Sequence, residues 1–185
     1  GGIEIGSTEL LQYIYEKRTN WSWYGFEGLL SADNSNLHIT STNFDEPRGM
    51  DFIGYVNRAV SLHGASGDTP VTYLGGMDVV ARTFVKQKLE AKGFIVEMAS
   101  TESGIAGEQP NNFVNRPPRG GVQLEMSTQL RKSFFLNNDW SKSVRTNKAN
   151  WTQTLKDYGD AVIEGIEMAL ALKLIGSGQL SLVDL

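Results

Sequence analysis

Cysteine is absent from the 185 residues. That excludes a disulfide framework and every thiolate zinc site, leaving histidine, aspartate and glutamate as the protein ligands open to a metal. Histidine itself is scarce, with His38 and His63 the two examples. Long apolar runs are missing as well. No stretch approaches the roughly 18 consecutive apolar residues that a membrane-spanning helix needs, so a soluble chain with no membrane partner is expected. No segment joins basic residues, an apolar run and a small-residue cleavage site, so nothing reads as a secretory signal. Basic charge is in deficit too: the formal net charge is −4. This argues against sequence-independent nucleic-acid binding, in which lysines and arginines replace the counterions on phosphate. A polyanionic substrate would meet an opposing overall field, and any attraction would have to be local.

What is present suits one globular unit. With 40% hydrophobic residues spread along its length, the chain can bury one sizeable core. No repeat, low-complexity tract or linker divides it, and a single domain over residues 1–185 is expected. A first helix is predicted from about Thr8 to Arg18, with Ser7 as its N-cap. Extended segments are predicted at Trp23 to Leu30, rich in aromatics, and at Leu37 to Thr40. A short helix over Pro47 to Asn57 precedes a buried strand from Ala59 to His63. Val80, Phe84, Val85 and Leu89 recur at helical spacing between Met77 and Lys92, and Gly93 stands where a left-handed turn ends a helix. Strands at Phe94 to Ala99 and Gly121 to Met126, a helix after Thr128 and a long helix from about Thr152 to Lys173 complete the set. Strands separated by helices of this length imply an open, mostly parallel or mixed α/β sheet flanked by helices. In such sheets the ligand site lies beyond the carboxyl ends of the strands, where His63 and Glu125 are both predicted to fall.

The residues that can carry chemistry are few, and each has a plainer alternative. Glu4 follows two glycines and an isoleucine. It is either a carboxylate aimed from a loop or an acid placed near a helix N-terminus. His63 sits on an otherwise apolar strand, where burial without a partner is unfavourable; it is a metal ligand or a satisfied core histidine. Alternation puts Gln123 and Glu125 on one face, opposite Val122 and Leu124. A partly desolvated Glu125 suits a general base, because burial raises a carboxyl pKa; the alternative is a solvated edge residue. His38 is open as a ligand, an outer-shell partner or an ordinary histidine. Asn115 and Arg116 set an amide beside a guanidinium, suited to gripping a carboxylate, or form an exposed loop pair. The acids at Asp45 and Glu46 fit a cap before a helix. Trp21, Trp23 and Tyr24 fit core packing better than polymer binding. No Gly-x-Ser-x-Gly elbow, phosphate-binding loop or cysteine nucleophile occurs.

Taken together, Gly1-Gly2-Ile3-Glu4-Ile5-Gly6-Ser7-Thr8-Glu9-Leu10, Phe26-Glu27-Gly28-Leu29 with Asn34-Ser35, Leu37-His38-Ile39-Thr40-Ser41-Thr42 with Phe44-Asp45-Glu46-Pro47, Ala59-Val60-Ser61-Leu62-His63-Gly64, Asn115-Arg116 and Gly121-Val122-Gln123-Leu124-Glu125 resemble the poly-γ-glutamate hydrolases of Bacillus phages and prophages. The resemblance runs through Phe134-Phe135 and Asn137-Asn138-Asp139-Trp140-Ser141 to about Ala171. It implies a zinc-dependent hydrolase with a carboxypeptidase-like core that cuts γ-glutamyl amide bonds of poly-γ-glutamate or a γ-glutamyl peptide. Carried over residue by residue, Glu4 and His63 become zinc ligands, Glu125 the general base, and Arg116 with Asn115 the grip on a substrate carboxylate. His38 becomes an outer-shell residue. The resemblance also places a zinc-ligating histidine just before the Gly-Gly-Ile-Glu run. That histidine and its strand are expected upstream of Gly1, or else the site is damaged. Ile175 to Leu185 has no counterpart in the resemblance and reads as an extension. A monomer is expected, made in a bacterial cytoplasm and acting outside the cell after release. A defective prophage remnant that binds the polymer without cutting it, and an exopeptidase on ordinary peptides, are the alternatives.

Overall fold

The computed structural model describes residues 2–175 and 179–181. Helix α1 spans Ser7–Lys17 and is capped by Gly6 rather than by Ser7. Gly6 holds φ 98° and ψ −24°, a left-handed conformation that glycine adopts without a Cβ clash. The Ser7 hydroxyl instead donates back to the Glu4 carbonyl at 2.7 Å, which closes the turn carrying Glu4. Leu10, Tyr13 and Ile14 form the buried face of α1.

Trp23 to Leu30 and Leu37 to Thr40, expected as extended strands, lie outside every sheet. Packing explains the difference. Tyr24, Phe26, Phe44, Phe52 and Phe113 form a ring cluster with centroids 4.9–6.2 Å apart, so these rings pack on one another without a ladder, while Trp23, expected in the core, is exposed and packs on Tyr15. Strand propensity of aromatics reflects fit to a half-buried surface, and a ring cluster supplies that equally well. Helix α2 (Pro47–Gly54) begins with proline, and Glu46 caps it by accepting from the Gly49 amide at 2.8 Å.

The sheet follows. Strands β1 (Ala59–Gly64) and β2 (Val71–Gly75) precede helix α3 (Val79–Ala91), which leads to β3 (Ile95–Met98) and later β4 (Gly121–Met126). The order is β1-β4-β2-β3, with β1 parallel to β4, β2 parallel to β3, and β2 antiparallel to β4. The sheet is therefore mixed. Asp78 caps α3 through the Ala81 amide, and Gly93 ends it at φ 85°. Helices α4 (Thr128–Ser133), α5 (Lys142–Arg145) and α6 (Gln153–Ala171) complete the α/β architecture. Strands β5 (Lys173–Ile175) and β6 (Gln179–Ser181) pair antiparallel. The rest of the expected 175–185 extension lies outside the described residues.

Val122, Leu124 and Met126 of β4 join Leu74, Val85, Leu89, Tyr158 and Val162 in one core under α3 and α6. The two helices touch closely: a Cβ at Gly165 would come 2.6 Å from the Val85 Cα. Among the described residues, no helix is long and apolar enough to cross a membrane.

Candidate active site

With Val122 and Leu124 turned into the core, alternation sends Gln123 and Glu125 to the opposite face of β4. Register then builds a row across the sheet. His63 on β1 pairs with Glu125 on β4, Glu125 with Tyr73 on β2, and Tyr73 with Glu97 on β3. All four line a cleft of about 710 Å³ that opens where the parallel strands β1 and β4 end. Glu4 reaches the same cleft from the turn before α1, its Oε2 lying 3.2 Å from His63 Nδ1. His38, half exposed, lines it too, with Nε2 3.8 Å from Glu4 Oε1.

The structure thus brings Glu4, His38, His63 and Glu125 together, and it does not bring Asn115 and Arg116 to them. The Asn115 amide is buried and spent on backbone: it accepts from Met77 N at 3.0 Å and donates to the carbonyls of Gly107 and Gln109. Arg116 is exposed and donates to the Asn111 carbonyl at 3.4 Å. Neither lines the cleft. Sequence reasoning missed a relay behind Glu125. Asn112 Nδ2 donates to Gln123 Oε1 at 2.9 Å, and Gln123 Nε2 donates to Glu125 Oε1 at 2.9 Å. The strand alternation signalled Gln123; nothing local to Asn112 signals its part.

The electrostatics divide the site in two. Burial pushes the Glu125 carboxyl above the usual range and the Glu4 charge adds to this, against opposing help from His63, Gln123 and Arg131. Burial acts on Glu4 in the same direction. There the hydrogen bond and charge of His63, the charge of His38 and the Gly64 amide outweigh it and hold the carboxyl low. Burial would lower His63, but the hydrogen bond and charge of Glu4 and the charge of Glu125 raise it. Glu4 is therefore kept anionic while Glu125 takes a proton more readily than an ordinary glutamate.

Such a pair of donors suits a metal. Zinc bonds to histidine nitrogen and carboxylate oxygen measure about 2.0–2.2 Å, so two tetrahedral ligands stand about 3.3 Å apart. The 3.2 Å between His63 Nδ1 and Glu4 Oε2 fits two corners of that shell, and a cysteine-free donor set of nitrogen and oxygen fits zinc chemistry. Among the described residues, no group of three His, Asp or Glu side chains forms a complete set.

The sequence profile of the poly-gamma-glutamate hydrolase family matches residues 1–161. The chain belongs to that family. A solved bacteriophage poly-gamma-glutamate hydrolase superposes on it with a TM-score of 0.84 at 42% identity, covering 90% of this chain and 79% of the other. Zinc-free YndL, also solved, superposes with a TM-score of 0.81 at 34% identity, covering 90% of this chain and 80% of that one. YmaC of Bacillus subtilis strain 168 is 42% identical over 136 residues, which are 73% of this chain and 57% of YmaC. The chain spans little more than half the length of the curated relatives it matches.

Proposed function

We propose that this poly-gamma-glutamate hydrolase family member hydrolyses γ-glutamyl amide bonds in poly-γ-glutamate or a γ-glutamyl peptide. In this reading Glu4 and His63 hold a zinc ion and Glu125 serves as general base. The observation that carries it is the convergence of those three side chains, from a turn and two adjacent strands, on one cleft. That YndL has been solved in a zinc-free form supports zinc as the metal in this reading.

When bound, zinc supplies Lewis acidity, polarising the scissile carbonyl and lowering the pKa of water to about 7. The remaining steps belong to the side chains. Glu125 Oε1 is held by Gln123, which leaves Oε2 to accept a proton from the attacking water. As the carbon–nitrogen bond breaks, Oε2 returns that proton to the departing amine, giving a free amino group and a carboxyl that releases water's other proton to solvent. Burial suits Glu125 to both tasks, since a raised pKa makes proton capture and return closer to balanced at neutral pH. His38 acts as an outer-shell residue, its Nε2 facing Glu4 Oε1 and steadying the carboxylate. Arg116 and Asn115 take a reduced part. Asn115 shapes the loop, and Arg116, exposed beside it, is the guanidinium offered to a substrate carboxylate.

A second reading has one observation in its favour: the described residues offer two metal ligands rather than three. It makes the chain a binder of the polymer that does not cut. Incubation with poly-γ-glutamate and zinc, followed by size-exclusion chromatography of the polymer, separates the readings. A fast fall in chain length is expected for internal cleavage, and slow release of single residues marks an exopeptidase. Retention of full-length polymer on the protein establishes the binder and overturns hydrolysis.

A further inference from the structure

We propose that Arg131 is the positioning residue of this site, one buried guanidinium that fixes the backbone carrying Glu4, His63 and Glu125 together. The proposal rests on the roles given above to those three residues. Arg131 belongs to α4 and is 6% exposed. Its Nε donates to the Met126 carbonyl at 2.9 Å, Nη1 to the Ile5 carbonyl at 2.7 Å, and Nη2 to the Ala65 carbonyl at 3.0 Å. Met126 directly follows Glu125, Ile5 directly follows Glu4, and Ala65 stands two residues beyond His63. Three segments remote in sequence are thereby tied to one rigid planar fork. Lysine, a point charge on a flexible stem, cannot reproduce that geometry.

The glycines of the same motifs point to the same side chain. A Cβ at Gly64, next to His63, would stand 2.6 Å from Arg131 Cζ, and a Cβ at Gly6, two residues after Glu4, would stand 3.2 Å from Arg131 Cβ. Each of the two segments that bear the proposed ligands thus has a glycine where the arginine passes. Trp140 covers the guanidinium with its ring centroid 5.4 Å from Cζ, so the fork is packed on one face and bonded at its edge. A buried charge of this kind is unfavourable unless its donors are satisfied, and here the donors reach carbonyls that adjoin the reacting groups. Placement rather than direct contact is the function: Arg131 does not line the cleft.

The test compares Arg131→Lys, Arg131→Met and Gly64→Ala with the wild type. With two histidines in the chain, imidazole ring signals in proton–nitrogen spectra of the metal-free protein are uncrowded. All three variants are expected to displace the His63 ring signals, and those of the half-exposed His38 less. Zinc affinity should fall by about 10–100-fold, as for lost outer-shell support. For cleavage, kcat should fall about 100-fold, the penalty of a roughly 1 Å misplacement, with KM nearly unchanged. Adding Gly64→Ala to Arg131→Met should then cause little further change, because the alanine acts by displacing the guanidinium. Wild-type His63 signals and kcat in folded Arg131→Lys would overturn the proposal, as would a loss confined to thermal stability. If both arginine variants fail to fold, Gly64→Ala decides alone, and unshifted His63 signals in it count against the proposal. Wild-type protein that neither binds zinc nor cuts polymer refutes the hydrolase reading, while the His63 signals still decide the role of Arg131.

Discussion

Two neighbouring strands carry the two halves of the site in unlike settings. β4 lies between β1 and β2, and all six of its residues are buried. β1 pairs with β4 alone among the described strands, and all six of its residues are half-buried. Beside β1 lies an apolar hollow of about 480 Å³, lined by Trp21, Tyr24, Phe44, Val60 and Leu62 among others. Glu125 therefore takes its character from the buried centre of the sheet, where burial itself tunes the carboxyl. His63 takes its character from a partner, Glu4, and its position from hydrogen bonds made beyond the strand's end. The contrast gives burial to the proposed base and connectivity to the proposed ligands.

The largest effect expected is at the edge. His63→Ala should abolish turnover of poly-γ-glutamate, measured as release of new amino groups, together with zinc content by elemental analysis; retained zinc would break the division between the halves. At the centre, Glu125→Gln should lower kcat by about 10²–10⁴-fold, the range for loss of a general base, and leave zinc content intact. The same substitution sharpens the contrast in stability. A carboxyl raised in the fold favours folding below its ordinary pKa of 4.5, and that contribution is lost as pH rises through the raised value. Metal-free Glu125→Gln should consequently melt higher than wild type at pH 7 and not at pH 3. Packing gives the next comparison by chemical denaturation. Leu124→Ala, at a fully buried site, should lose about 2–5 kcal/mol, and Leu62→Ala on β1 well under that. Thr72→Val, which removes the 2.9 Å bond to the buried Tyr158 hydroxyl, should lose about 1 kcal/mol, the smallest change of the set.

The parts of the fold legible in the sequence were those written in local pattern. The apolar runs ending in His63-Gly64 and Glu125-Met126 placed both residues at strand ends, and helical spacing with Gly93 marked α3 and its stop. Val71–Gly75 escaped notice because a five-residue run after a proline carries little period, although β2 joins the two halves of the sheet. The segment around Trp23 misled for a different reason: aromatic density reports ring packing, and rings found one another across sequence rather than along a ladder. At the site, Glu4, His63 and Glu125 came from motifs that a resemblance could order. Asn115 and Arg116 came from the same resemblance and from their chemical type, and Arg131 was passed over because its importance lies in three backbone carbonyls that no side-chain motif records.

In the proposed site Glu4 and His63 bind the metal while Glu125 does not. Zinc titration by calorimetry of wild type, Glu4→Gln, His63→Ala and Glu125→Gln tests this assignment directly. Binding of wild-type affinity is expected in Glu125→Gln and none in the other two variants. Undiminished binding by Glu4→Gln or His63→Ala, or its loss in Glu125→Gln, would contradict it.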